Sequence, residues 1–87
     1  MAFYEVCILG LKGYDTDYLY QVVLELVKEL NIDADVKYIS DMKAMAKFRV
    51  IMTPAIAFNG KVRGYGRIVP RGLIKKWLLE MVKEEES

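Results

Sequence analysis

The chain has no histidine and a single cysteine, Cys7, among its 87 residues. One thiol cannot form a disulfide within the chain, and without histidine a Cys/His metal centre has almost no ligands to draw on. No metal and no cofactor is therefore expected. Long apolar runs are missing as well: none approaches the ~20 residues of a membrane span. Met1 to Gly10 lacks the basic flank and cleavage-like site of a secretory leader, so the expectation is a cytoplasmic protein with no membrane contact. The last shortage concerns one sign of charge. The net charge is +1, yet no acidic residue occurs between Asp41 and Glu80, a stretch holding Lys43, Lys47, Arg49, Lys61, Arg63, Arg67, Arg71, Lys75 and Lys76. Acidic residues gather in the first half and in the tail, which predicts a strongly dipolar molecule.

What is present suits one small domain. At 54% hydrophobic and 29% charged residues, the composition is that of an ordinary globular protein. A chain this short buries only about 60 to 65% of its unfolded surface, so one core spanning residues 1–87 is expected, with residues 84–87 a frayed tail. Tyr4 to Leu9 is nearly continuous in apolar residues, as in a central strand covered on both faces. Tyr18, Leu19, Val22, Val23, Leu26, Val27 and Leu30 then recur at helical spacing and predict a helix over Asp17–Leu30 with a wide buried stripe. Asp15, Thr16 and Asp17 are suited to capping its start. Asp35 to Ile39 reads as a strand, and Ser40-Asp41 as the start of a short helix with Met42, Met45 and Ala46 turned inward. Ala55–Phe58 and Lys61–Tyr65 flank Asn59-Gly60, a signal for a type I′ hairpin because both turn residues need positive φ. Pro70 fits the first turn of a last helix whose core stripe is Leu73, Ile74, Trp77, Leu78, Met81 and Val82. The order is β-α-β-α-β-β-α, an α/β domain with a four-stranded mixed sheet and helices on both faces. Three strands are expected to be parallel and one, in the hairpin, antiparallel.

Three stretches read together carry a resemblance: the strand-turn-helix-strand unit from Tyr4 to Ile39; the run Val50-Ile51-Met52-Thr53-Pro54-Ala55-Ile56-Ala57-Phe58; and Asn59-Gly60-Lys61 with a strand ending at Gly66-Arg67 and a final helix. Together they resemble the small thioredoxin-like, glutaredoxin-like "redox-active disulfide" proteins of prokaryotes, over nearly the whole chain. Thr53-Pro54 before a strand, with Asn-Gly after it, is the more specific part. The resemblance implies a thioredoxin-like fold in which the Thr53-Pro54 bond is cis and lies against the loop that carries a Cys-x-x-Cys pair in such proteins. This chain has Gly13-Tyr14-Asp15-Thr16 there. Thiol exchange needs a thiolate at the helix start and a second thiol to resolve the mixed disulfide; Gly13 and Thr16 supply neither. Cys7, inside the first strand, reads as a small buried apolar residue with a raised pKa.

The expectation is a fold without a redox dithiol and without catalytic residues, serving as a binding or regulatory module for a protein or peptide partner. Its first contact surface is a groove of Gly13, Tyr14, Asp15, Thr16, Thr53 and Pro54, open to a partner strand if the Thr53 backbone is exposed. An alternative is an enzyme of the thiol-disulfide class, or a glutathione-binding one, with the Thr16 hydroxyl near the helix start holding a bound thiolate; capping is the structural use of the same residue. A second surface is a basic hairpin-helix face of Lys61, Arg63, Arg67, Arg71, Lys75 and Lys76, suited to an acidic protein, to nucleic acid or to the acidic half of another copy. Aromatic interleaving there is poor, with Tyr65 the one stacking candidate.

Overall fold

A computed structural model of the chain describes residues 3–50, 52–65 and 69–86. The elements follow in the order β1 (Tyr4–Leu9), α1 (Tyr14–Glu29), β2 (Ala34–Ile39), α2 (Met42–Ala46), β3 (Ala55–Phe58), β4 (Lys61–Tyr65) and α3 (Arg71–Glu86). They form one four-stranded sheet in the order β2-β1-β3-β4, so the most apolar strand, β1, is an interior one.

The α/β class and mixed sheet agree with the sequence; the strand directions differ from it. β1 and β2 are parallel, but β3 runs antiparallel to β1, and β4 antiparallel to β3. Connection length explains both outcomes. The 16 residues of α1 extend about 24 Å, enough to return the chain along a six-residue strand of about 20 Å. The five residues of α2 cover only about 7.5 Å, so the chain stays at the end of the sheet where β2 finishes and re-enters in the opposite sense.

Strand alternation divides the core into two layers. Tyr4, Val6 and Ile8 of β1 and Ile56 and Phe58 of β3 pack with Leu19, Val22, Val23 and Leu26 of α1 and Ile74, Leu78 and Met81 of α3. Cys7 and Leu9 with Ala55 and Ala57 face the other way, against Met45 of α2, Phe48 and Val50. One face of the sheet thus carries two long helices and the other a short one.

Several details depart from the helical stripes. Tyr18, Leu73 and Met42 are exposed, Met42 to 71%, and Ala46 is exposed as well. α1 begins at Tyr14, three residues before the expected start, with Gly13 as N-cap and no side-chain cap; Asp15, Thr16 and Asp17 lie inside the first turn. α3 extends to Glu86, through residues expected to fray, and Pro70 precedes it, its carbonyl accepting from the Leu73 and Ile74 amides. The hairpin turn has φ +49° at Asn59 and +87° at Gly60, both positive as type I′ requires. Gly66 and Arg67, expected to end β4, lie outside the described residues, as does Ser87.

Candidate functional site

The β1/β2 ladder continues one step past Leu9, with the Gly10 amide donating to the Ile39 carbonyl at 3.0 Å. Leu11, Lys12 and Gly13 then turn the chain into α1, where the Asp17 amide closes the first turn on the Gly13 carbonyl at 2.9 Å. Asp15 and Asp17 place negative charge in that turn, where the helix dipole favours it.

Gly10 joins the two halves of the predicted groove. A Cβ at Gly10 would sit 2.8 Å from Thr16 Oγ1, 3.3 Å from Thr16 Cγ2 and 3.4 Å from the Pro54 Cα. The missing side chain is what lets the start of α1 and the Thr53–Pro54 segment close on the end of β1. The Thr53–Pro54 bond is cis, and Thr53 is exposed. No described residue makes a backbone hydrogen bond to Thr53.

Within this frame the six groove residues separate. Gly13, Tyr14, Asp15 and Thr53 are exposed and Pro54 is half-buried, whereas Thr16 is only 4% exposed. The Thr16 hydroxyl lies close to Gly10 and α1 has no side-chain cap; the same burial leaves little of Thr16 open to a bound thiolate. Sequence reasoning overlooked Tyr38. From β2 its hydroxyl reaches the same helix start and donates to Asp17 Oδ1 at 2.6 Å. Burial and the Asp17 carboxylate raise the phenol's pKa, while the Gly13 backbone and the Thr16 side chain oppose the rise. A tyrosine inside a strand carries no signal that its tip meets the start of the preceding helix.

Beside Thr53 lies a hollow of about 330 Å³ lined by Leu11, Met42, Met45, Ala46, Val50 and Thr53. Its walls come from the loop after β1, from α2 and from the segment leading to β3. Leu11 is 63% exposed and Met42 71%, so the outward turn of Met42 that departs from the expected stripe supplies one wall. Tyr14 at the start of α1 and Met52 beside Thr53 add further exposed apolar surface.

A family model described as a thioredoxin domain matches residues 5–79. The chain belongs to the thioredoxin-domain family. No curated protein matches it.

In this thioredoxin domain the one thiol lies away from the helix start. Cys7 is 1% exposed and faces α2, on the side of the sheet opposite α1. Burial, with the Glu5 carboxylate beside it, pushes its pKa up to about 11; Glu5 Oε1 is 3.7 Å from Sγ. Burial and a pKa raised this far disfavour the thiolate, the form in which a cysteine attacks or binds a metal. Among the described residues, no three His, Cys, Asp or Glu side chains cluster so as to hold a metal ion, and no helix is long and apolar enough to cross a membrane.

The second predicted surface is broken up by the thioredoxin domain's own packing. Arg71 spans α1 and α3, reaching Glu25 at 3.0 Å and Glu29 at 2.7 Å. Arg63 pairs with Glu80 at 2.9 Å and lies over the Trp77 ring, 5.7 Å from its centroid. Lys75 and Lys76 line a shallow surface on α3 with Gly72, Leu79, Glu80 and Lys83, while Lys61 lies by the hairpin with Phe58, Trp77 and Glu84. Arg67 and the Tyr65 side chain lie outside what the structure describes. The segregation of charge along the chain is thus partly undone in space, because α3 starts beside the acidic end of α1.

Proposed function

We propose that this thioredoxin-family domain is a binding module that performs no thiol-disulfide exchange of its own and takes an extended segment of a partner protein in the groove between the start of α1 and Thr53–Pro54. The observation that carries the reading is the position of the only cysteine: Cys7 is buried across the sheet from α1 with its pKa pushed up to about 11, and Gly13 to Thr16 offer no sulfur. What the helix start does offer is surface. Tyr14 is 79% exposed, Thr53 is exposed and its backbone is bonded to no described residue's backbone, and an extended peptide can use such a backbone by strand addition. The polar groups nearby are engaged with each other, Tyr38 with Asp17, which favours holding a peptide over acid-base chemistry.

The test has two arms. Insulin reduction is expected to run no faster than with dithiothreitol alone; a rate enhancement abolished by Cys7→Ala refutes the non-catalytic half. Peptides retained from a peptide library are expected to bind about tenfold more weakly to Tyr14→Ala, since a central aromatic commonly contributes at least that much. Unchanged affinity in a variant with native circular dichroism refutes the groove.

A further inference from the structure

The hollow beside Thr53 is lined by segments whose flanking charges are mostly of one sign. Its lining residues have five charged chain neighbours: Lys12 follows Leu11, Asp41 and Lys43 flank Met42, Lys47 follows Ala46 and Arg49 precedes Val50. All five are exposed. Asp41 is engaged as the N-cap of α2, accepting from the Ala44 amide at 3.2 Å. The four cations make no ion pair with a described residue, in contrast to Arg63 and Arg71, which the fold pairs internally. An apolar hollow whose lining residues have four exposed cations as chain neighbours, none of them paired with a described residue, suits an apolar side chain carried between carboxylates.

Arg49 adds an independent observation. It ends α2 with its amide on the Ala46 carbonyl at 3.1 Å and φ +54°, a region that glycine enters freely and long side chains seldom occupy. Local backbone preference alone would place glycine there, so the cation next to Val50 of the lining stands against that preference.

We propose that the hollow lined by Leu11, Met42, Met45, Ala46, Val50 and Thr53 seats an apolar side chain of an extended acidic peptide, whose flanking carboxylates lie against Lys12, Lys43, Lys47 and Arg49. The inference deepens the groove reading and rests on it. The Thr53 backbone gives the peptide its extended line, the hollow its anchor and the cations its sequence preference.

Fluorescence anisotropy with short labelled peptides tests it. One peptide carries a central leucine flanked by aspartate and glutamate, a second the same leucine flanked by serine and glutamine, a third by lysine, and a fourth replaces the leucine of the acidic peptide by serine. The acidic leucine peptide is expected to bind at least about tenfold tighter than the neutral one at low salt, the advantage falling below about threefold near 0.5 M salt. Arg49→Gly, and Lys43→Ser with Lys47→Ser, are each expected to lower that affinity about three- to fivefold, with Arg49→Gly no less resistant to urea than the parent. Equal binding of acidic and neutral leucine peptides, both weakened by Tyr14→Ala, overturns the charge inference while leaving the groove reading intact. Failure of every peptide overturns both. Binding of the serine-substituted acidic peptide as tightly as its leucine parent overturns the anchoring role of the hollow. Sedimentation as a dimer at low salt that the acidic peptide does not dissolve assigns the surface to a second copy and overturns the proposal.

Discussion

Replacing Gly10 by alanine tests whether the end of β1 holds the groove together. The new Cβ would meet Thr16 Oγ1 at 2.8 Å and Thr16 Cγ2 at 3.3 Å, with the Pro54 Cα at 3.4 Å. Ordinary non-bonded separations are about 3.5–4.0 Å between carbons, so Thr16 must give by roughly half an ångström. It has little freedom to do so: it is buried, lies in the first turn of α1, and is β-branched. Overpacking of this kind costs about 1–3 kcal/mol. Alanine restricts the unfolded chain more than glycine and returns about 0.4–1 kcal/mol; Gly10 has no positive φ that would cancel this gain. The net expectation for Gly10→Ala is a loss of about 1–2 kcal/mol, or about 4–16 °C in Tm for a domain of this size. Thr16→Ala removes both colliding atoms, so Gly10→Ala with Thr16→Ala should be more stable than the sum of the single changes by about 1 kcal/mol. Urea titrations of the four proteins measure the coupling. Additivity within about 0.3 kcal/mol, the behaviour of sites that do not touch, refutes the contact. The Gly10→Ala protein should also lose peptide affinity although Gly10 is itself buried, because the start of α1 and the Thr53–Pro54 segment are pushed apart.

Cys7 should resist iodoacetamide in the native protein and react only on unfolding. With its folded pKa raised from 9.0 to about 11, the native state keeps its proton while the unfolded chain loses it, so stability falls as pH rises between about 9 and 11, by about 2–3 kcal/mol. Urea titrations across that range check it, and Cys7→Ala should remove this part of the slope. At Gly64 a Cβ would lie 2.4 Å from Trp77 Cη2; Gly64→Ala should displace the indole, cost about 1–3 kcal/mol and shift the emission of the only tryptophan to the red. Unchanged emission would show that the ring does not press on β4. Arg71→Ala should cost at most about 1 kcal/mol, since Arg71 is 42% exposed and its partners Glu25 and Glu29 more so; the loss should shrink in about 1 M salt, and a larger or salt-independent loss would mean that Arg71 contributes through packing.

Elements set by local chemistry were legible in the sequence. Asn59-Gly60 predicts its turn because few residues accept two consecutive positive φ values, and β1 reveals its interior place because, Glu5 apart, both of its faces are apolar. The β3 direction was not legible, since it follows from how far α2 can carry the chain. Thr16 misled for a related reason. Ser, Thr and Asp are favoured at N-caps when they compete for a free amide, but here the space left by Gly10 draws Thr16 inward and the cap falls to Gly13. Helical spacing identified a face of α2 as apolar without saying whether anything covers it, so Met42 reads as core in the sequence and stands at a hollow's wall in the fold. The run without acidic residues describes the chain, and the packing of α3 against α1 supplies Arg71 with carboxylates from elsewhere in it.

Two of these misplacements, Thr16 and Met42, lie at the end of the sheet where α1 starts, and they bear on function. Were stability alone served there, Met42 and Leu11 would turn inward, since burying a large apolar side chain contributes about 1.5–3 kcal/mol, and glycine would stand at Arg49. Instead two apolar side chains more than 60% exposed line one hollow, and a long cation takes a backbone conformation it disfavours. The polar groups at the α1 start are meanwhile turned on one another, with Tyr38 on Asp17 and Thr16 under Gly10. Single exposed apolar residues are ordinary on protein surfaces, but their convergence beside Thr53, whose backbone bonds to no described residue's backbone, is the kind that marks interaction sites. Apolar groups left open beside Thr53, with Tyr38 turned on Asp17 and Thr16 buried, are the features on which the proposed peptide-holding surface rests.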